Sequence, residues 1–348
     1  MNLSGRRAKI QSAYIVILSI VLIFSSLIGE EIGQARASEH ILHYYDKFLD
    51  VQMLDTGQVW AVGHMGKLIY SEDYGKHWVA LNTKTNKGLY SVYFITPETG
   101  WITGESGVIL YTEDGGKTFT QQAEGVTNLP LFNSFFLNKK NGWAVGVWGT
   151  VLTTNDGVNW RKTDFNKDLV INDIYFFDEN KGYAACEFDT VMMTEDGGET
   201  WKALLKTDDW DTGNFFGIDF IDENTAVIVG TSGDIKYTKD GGQTWEDAKN
   251  NGPWEESAYN NDPGRSTLLN VRFFNDKQGV AIGLEGAILS TKDGGLSWDP
   301  PSLITQFTWF SGISLLENGK GIIVGMANII ITNDFGKTWV SPFENMTK

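Results

Sequence analysis

TEDGGETW, residues 194–201, is one of seven copies of a single phrase, Ser/Thr-x-Asp-x-Gly-x-Thr-Trp, strung along the chain. The others read SEDYGKHW (71–78), TEDGGKTF (112–119), TKDGGQTW (238–245), TKDGGLSW (291–298), TNDFGKTW (332–339) and TNDGVNW (154–160), the last one residue short. Their aspartates are Asp73, Asp114, Asp156, Asp196, Asp240, Asp293 and Asp334, at steps of 41, 42, 40, 44, 53 and 41 residues. Self-similarity at about 40 residues marks a repeat architecture, and a repeat of that length holding four short strands is a propeller blade.

The rest of each repeat agrees. Runs such as LYSVYFI (89–95), INDIYFF (171–177) and LLNVRFF (268–274) are aliphatic, aromatic and β-branched, and are bounded by Gly, Asn or Asp. One unit therefore predicts an inner strand (LYSVYFI), a second (GWITG), a third (GVILYT) and an outer strand starting at the aromatic residue of the phrase. Gly-x-x-Gly joins strands two and three at 63–66, 104–107, 146–149, 230–233 and 283–286, where glycine reaches the positive φ of a tight hairpin. The phrase itself joins strands three and four. Its Asp can bond nearby backbone amides and its Trp can return to pack. One isolated carboxylate per turn is a poor cation cage, so these aspartates read as structural.

The fold class expected is all-β, a seven-bladed propeller of four-stranded antiparallel blades over residues 48–343. Residues 344–348 form a short tail, and 38–47 an N-terminal segment able to supply a closing strand. Residues 1–37 read as a signal peptide. Arg6, Arg7 and Lys9 precede an uncharged run from Ala13 to Ile28, and Ala35-Arg36-Ala37 offers a small-x-small cleavage site before Ser38. That run is shorter than the roughly 20 residues that span a bilayer. An uncleaved anchor is the alternative, with membrane contact only through residues 10–28. No cysteine lies near the run, which excludes a lipidated N-terminus. The expected location is exported, in the periplasm or a thylakoid-lumen-like compartment.

Net charge is −16, and −18 once residues 1–37, with four basic and two acidic residues, are removed. Such an excess disfavours nucleic acid and anionic membrane surfaces and permits a basic protein partner. Cys186, alone in the sequence, cannot form an internal disulfide and reads as a buried thiol. There is no phosphate loop, no G-x-S-x-G elbow and no H-E-x-x-H pair. His40-x-x-His43 has no acidic or thiol partner nearby in sequence. No catalytic residue, metal site or cofactor is expected.

A subtraction points to a binding face. Of thirteen tryptophans, Trp78, Trp160, Trp201, Trp245, Trp298 and Trp339 close the phrase, and Trp60, Trp101 and Trp143 share one second-strand position. Trp148, Trp210, Trp254 and Trp309 are left over. In an up-and-down blade the second-to-third turns and the blade connectors share one side, opposite the phrase. The expected partner-binding face is therefore Trp148, Phe188, Trp210, Trp254, Tyr259, Arg265 and Trp309, with Glu105, Glu187 and Glu285 as an acidic rim. Leu284 and Met326 are further turn tips there, and Glu246–Leu268 is a long connector with an insertion of about ten residues. Aromatic loops on a rigid scaffold are where binding resides. The face suits an extended peptide or basic protein segment, and stacked sugar rings nearly as well.

The phrase is identified as the Asp-box, or bacterial neuraminidase repeat. The longer unit, as in GWAVGVWGTVLTTNDGVNW (142–160), resembles the photosystem II assembly and stability factor family across residues 48–343. That resemblance implies a non-catalytic, exported, protein-binding propeller; the chain is expected to act as a monomer. The photosynthetic members resemble one another in an arginine-rich patch thought to contact their client. Beyond residue 37 this chain has just Arg161, Arg265 and Arg272, so the photosystem client does not carry over. A carbohydrate-binding or glycoside-hydrolysing Asp-box propeller is the alternative. Sialidases need three arginines for the substrate carboxylate and an Arg-Ile-Pro motif, which is missing here.

Overall fold

The computed structural model describes residues 46–165, 168–206, 213–251, 266–300 and 308–343. The upstream segment, including the run 13–28 and His40 and His43, lies outside them, as does the tail from 344. Among the described residues no helix is long and apolar enough to cross a membrane.

Seven blades follow one another, and each runs from the centre outward. In the first, Phe48–Met53, Val59–Gly63, Lys67–Ser71 and Val79–Asn82 pair as successive antiparallel neighbours. The inner strands of the others are Leu89–Phe94, Leu131–Phe136, Ile171–Phe176, Phe215–Phe220, Leu268–Phe273 and Phe310–Leu315. Second strands such as VWAVG, GYAAC and AVIVG are buried along their whole length, which is why they read as continuous apolar runs. Outer strands such as Val79–Asn82 are largely exposed. The outermost position thins to a single bridge in blade 6 (Ser290–Asp299) and blade 7 (Ile331–Val340). In blade 6 the outer strand Ser297–Trp298 also pairs, parallel, with Lys249–Asn250 from the connector leaving blade 5.

The core lies between blades. Each apolar cluster draws on two neighbours, as Trp60, Val62 and Leu68 of blade 1 do with Leu89, Phe94 and Ile102 of blade 2. The second-strand tryptophans carry this packing. Trp60 stacks on Phe94 with centroids 3.7 Å apart, Trp101 on Phe136 at 3.9 Å and Trp143 on Phe176 at 3.7 Å. Offset aromatic stacks add about 0.5–1.5 kcal/mol to the burial itself.

The Asp-box turns use their aspartates locally. Asp114 accepts the Thr118 amide (2.8 Å) and hydroxyl (2.6 Å) and the Thr112 hydroxyl (2.8 Å), while Thr112 Oγ1 accepts the Gly116 amide at 2.9 Å. Asp196, Asp240 and Asp334 repeat the pattern.

Ring closure needs no exchanged strand among the described residues. The inner strand of blade 1 comes from the N-terminal side and the last outer bridge, at Val340, from the C-terminal side. Lys47 bridges Met326, and the Ala327 amide donates to the Asp46 carbonyl at 2.7 Å. The same bond recurs between blades 3 and 4, where Gly149 N–H donates to the Leu169 carbonyl at 2.6 Å. The seventh junction is built like an internal one.

Candidate functional site

The turns between second and third strands hold the predicted face. Each begins with a residue that ends the second strand. In blade 1 this is Gly63, extended at φ −166°, where a Cβ would be driven into the Lys47 carbonyl. Close approach, not positive φ, is what requires glycine there. Positive φ falls later. The third residue is left-handed in every blade: Met65 (56°), Ser106 (58°), Trp148 (53°), Phe188 (57°), Ser232 (56°), Glu285 (57°) and Ala327 (53°). None is glycine, although an L-residue there costs about 1–2 kcal/mol.

These tips project outward. Met65 is 76 % exposed, Trp148 61 % and Phe188 38 %. Met65 was missed in the sequence because a methionine does not stand out from a strand end. Trp309 is half-buried where the chain enters blade 7, and its carbonyl accepts the Met326 amide at 3.1 Å. Leu284 and Met326 are half-buried. Trp210, Trp254, Tyr259 and Arg265 lie outside the described residues.

The three rim carboxylates have local partners. Glu105 accepts the Gly88 amide and Glu187 the Val170 amide, each at 2.9 Å. Glu285 accepts the Ser266 hydroxyl at 2.8 Å. Each binds the chain entering its own blade, so these side chains hold the face together as well as charging it.

A second cluster, which sequence reading did not find, lines the centre. Inner-strand side chains bond to the backbone of the next blade: Asp50 accepts Val92 N–H (2.9 Å), Asp173 accepts Ile218 N–H (3.0 Å) and Asp219 accepts Phe273 N–H (2.8 Å). Between blades 7 and 1, the Ser311 hydroxyl donates to the Phe48 carbonyl and the Met53 amide to Ser314 Oγ, both at 3.0 Å. Arg272 Nη1 lies 3.3 Å from Asp173 Oδ2 and donates to the carbonyls of Ile218 (3.1 Å) and Val271 (2.8 Å), tying blades 4, 5 and 6 together. Burial pushes Asp50 and Asp219 up to about 6 despite their amide bonds and the Arg272 charge, and it raises Asp173 as well. Tyr93, Phe135 and Tyr175 occupy the matching inner-strand position in blades 2 to 4, with successive centroids 5.3 Å apart. The signal was present as charged residues inside INDIYF, FFGIDF and LLNVRF, but their pairing crosses from blade to blade. Cys186 is buried, as expected.

A groove of 340 Å³ opens beside blade 1, lined by Asp46, Lys47, His64, Met65, Lys67, Leu68, Ala80 and Leu81. Lys67 pairs with Asp46 within this lining. His64 is lowered to about 4, first by burial and then by the Lys47 charge. Among the described residues no group of three His, Cys, Asp or Glu side chains gathers as metal ligands.

The fold and these turns define an Asp-box β-propeller with exposed aromatic tips at Trp148 and Phe188. A family model described as photosynthesis system II assembly factor YCF48 matches residues 30–111, 80–155, 153–251 and 247–343, and the chain belongs to that family. A solved structure described as YCF48 bound to D1 peptide is similar at 20 % identity and TM-score 0.67, over 84 % of this chain and 95 % of that one. YCF48 from Cyanidioschyzon merolae is similar at 16 % identity and TM-score 0.66, over 83 % and 96 %. The GH74 xyloglucanase from Xanthomonas campestris shares the fold at 10 % identity and TM-score 0.68, over 86 % of this chain and 55 % of that enzyme. No curated protein matches the sequence.

Proposed function

We propose that this protein is a non-catalytic assembly or stability factor that works outside the cytoplasm and binds a protein client through its turn-and-connector face. Family membership carries the reading, because a similar structure is described with a D1 peptide bound. The pattern of residues 1–37 supports export to a periplasmic or lumenal space, and the net charge of −16 supports a protein partner over nucleic acid. The client is a subunit of a membrane or exported complex. It need not be photosystem II, since the chain beyond residue 37 carries three arginines.

The test is made in the native organism. Deleting the gene lowers the amount of one assembled envelope complex, and cross-linking the tagged protein recovers a subunit of that same complex. Mature protein isolated from the exported fraction starts at Ser38. Unchanged complexes together with turnover of fluorogenic glycosides would sink this reading in favour of a hydrolase.

A further inference from the structure

Blades 3 and 4 present the aromatic turn tips side by side. Leu169 and Val170, which lead into blade 4, are gripped from both sides. Gly149 N–H donates to the Leu169 carbonyl at 2.6 Å, and Glu187 N–H donates to the Val170 carbonyl at 3.0 Å. Trp148 precedes the first donor and Phe188 follows the second. The blade 4 turn then holds the chain entering blade 5: Phe188 N–H donates to Asn214 Oδ1 at 3.1 Å, and Gly213 N–H to Asp189 Oδ2 at 2.8 Å. One ledge results, running from Trp148 through Leu169–Val170 and Phe188 to Gly213–Asn214.

Two observations give the ledge a purpose. Its aromatic rings are exposed, yet each sits on a left-handed residue where a smaller side chain serves in blades 2, 5 and 7. A Trp that neither packs in the core nor suits its backbone adds nothing to folding. Exposed aromatic anchors on a rigid turn are what protein interfaces use. Among the described residues, the charged ones on the ledge are Asp168, Glu187 and Asp189, all acidic. Glu187 is raised first by burial and then by the Asp168 charge, and Asp189 pushes in the same direction on Asp234 of the next turn. Like charges held this close relax when a cation arrives.

We propose that this ledge docks a basic, apolar protein segment, its apolar side chains against Trp148 and Phe188 and its Lys or Arg side chains towards Asp168, Glu187 and Asp189. A guanidinium or ammonium crossing the exposed Trp148 face gains a cation–π contact in addition. The inference rests on the protein-binding reading and narrows it to one place and one partner chemistry.

A random linear peptide library displayed on phage is selected on the purified protein, and the enriched sequences are made as labelled peptides for anisotropy. The expected peptides combine Lys or Arg with apolar residues. Trp148→Gly and Phe188→Gly each weaken them by about tenfold or more. Asp168→Asn weakens them less, and flattens the loss of affinity between about 0.05 and 0.5 M salt. Val158→Ser, an exposed apolar residue on the Asp-box side, leaves them unchanged. Enriched peptides that are neutral or acidic, or that bind the Trp148→Gly protein as well as the parent, overturn the ledge and leave protein binding standing. No enrichment at all removes both readings and sends the protein to a glycan array.

Discussion

Trp101 Nε1 is buried without a hydrogen-bond partner, and the cause lies one blade away. At the same second-strand position, Trp60, Trp143 and Tyr183 each donate to the carbonyl that follows the Asp of the next Asp-box: Gly115 (3.0 Å), Gly197 (2.7 Å) and Gly241 (3.0 Å). Blade 3 carries the shortened TNDGVNW, and the residue it lacks is the one whose carbonyl Trp101 would meet. The local repair serves a different ring: Trp160 Nε1 donates to Gln122 Oε1 at 2.9 Å, and Gln122 Nε2 to the Gly157 carbonyl at 3.0 Å. A buried donor left unmade costs about 1–3 kcal/mol. Trp101→Phe is therefore expected to destabilise by about 1–2 kcal/mol less than Trp60→Phe in urea unfolding. Equal losses would mean that the two indole N–H groups are equivalent in solution.

At the scale of the element, the second-to-third turn separates residues that build the fold from residues that use it. A Cβ at Gly104 would meet the Gly88 carbonyl, so Gly104→Ala should cost about 1–3 kcal/mol. Trp148→Gly relieves a left-handed backbone and should leave the thermal midpoint unchanged or raise stability by up to about 1 kcal/mol. A large loss there would make Trp148 a packing residue and end its candidacy. Strands, Asp-boxes and blade count were legible because the period repeats seven times and the alternatives share no such spacing. The left-handed third position was not, since Met, Ser, Trp, Phe, Glu and Ala fill it and no residue type marks it. Trp148 could be found by subtraction because it breaks the tryptophan pattern. Arg272 was visible only as a stray arginine, because Asp173 lies 99 residues away and the two meet only once blades 4, 5 and 6 have stacked.

Over the whole molecule two families of carboxylates pull in opposite directions with pH. Asp50 and Asp219, pushed up to about 6 by burial, hold their protons more tightly folded than unfolded. Their contribution is complete below about pH 4 and disappears as pH rises through about 6. His64, lowered to about 4, opposes them with one proton against two. At Asp114 partial burial favours the neutral acid, but bonds from Thr118 and Thr112 outweigh it and hold the carboxyl at about 2. At Asp240 the Thr244 bonds do the same. These contributions persist above about pH 4 and are lost as pH falls towards 2. The thermal midpoint should accordingly peak between about pH 4 and 5, and Asp50→Asn should flatten the decline towards pH 7. A midpoint that rises steadily from pH 5 to 7 would contradict this assignment. The closed ring also has a mechanical polarity. The N-terminal strand, Phe48–Met53, is paired along its length with Val59–Gly63 and bonded sideways to blades 2 and 7, whereas the last described residues are held by the two Ile331–Val340 bonds at the rim and by Phe343 packed against the core between blades 7 and 1. A pull on the leading end shears three neighbours at once, and a pull on the trailing end draws out one ring and peels one bridge. A tether at the front would bear load that a tether at the back would release.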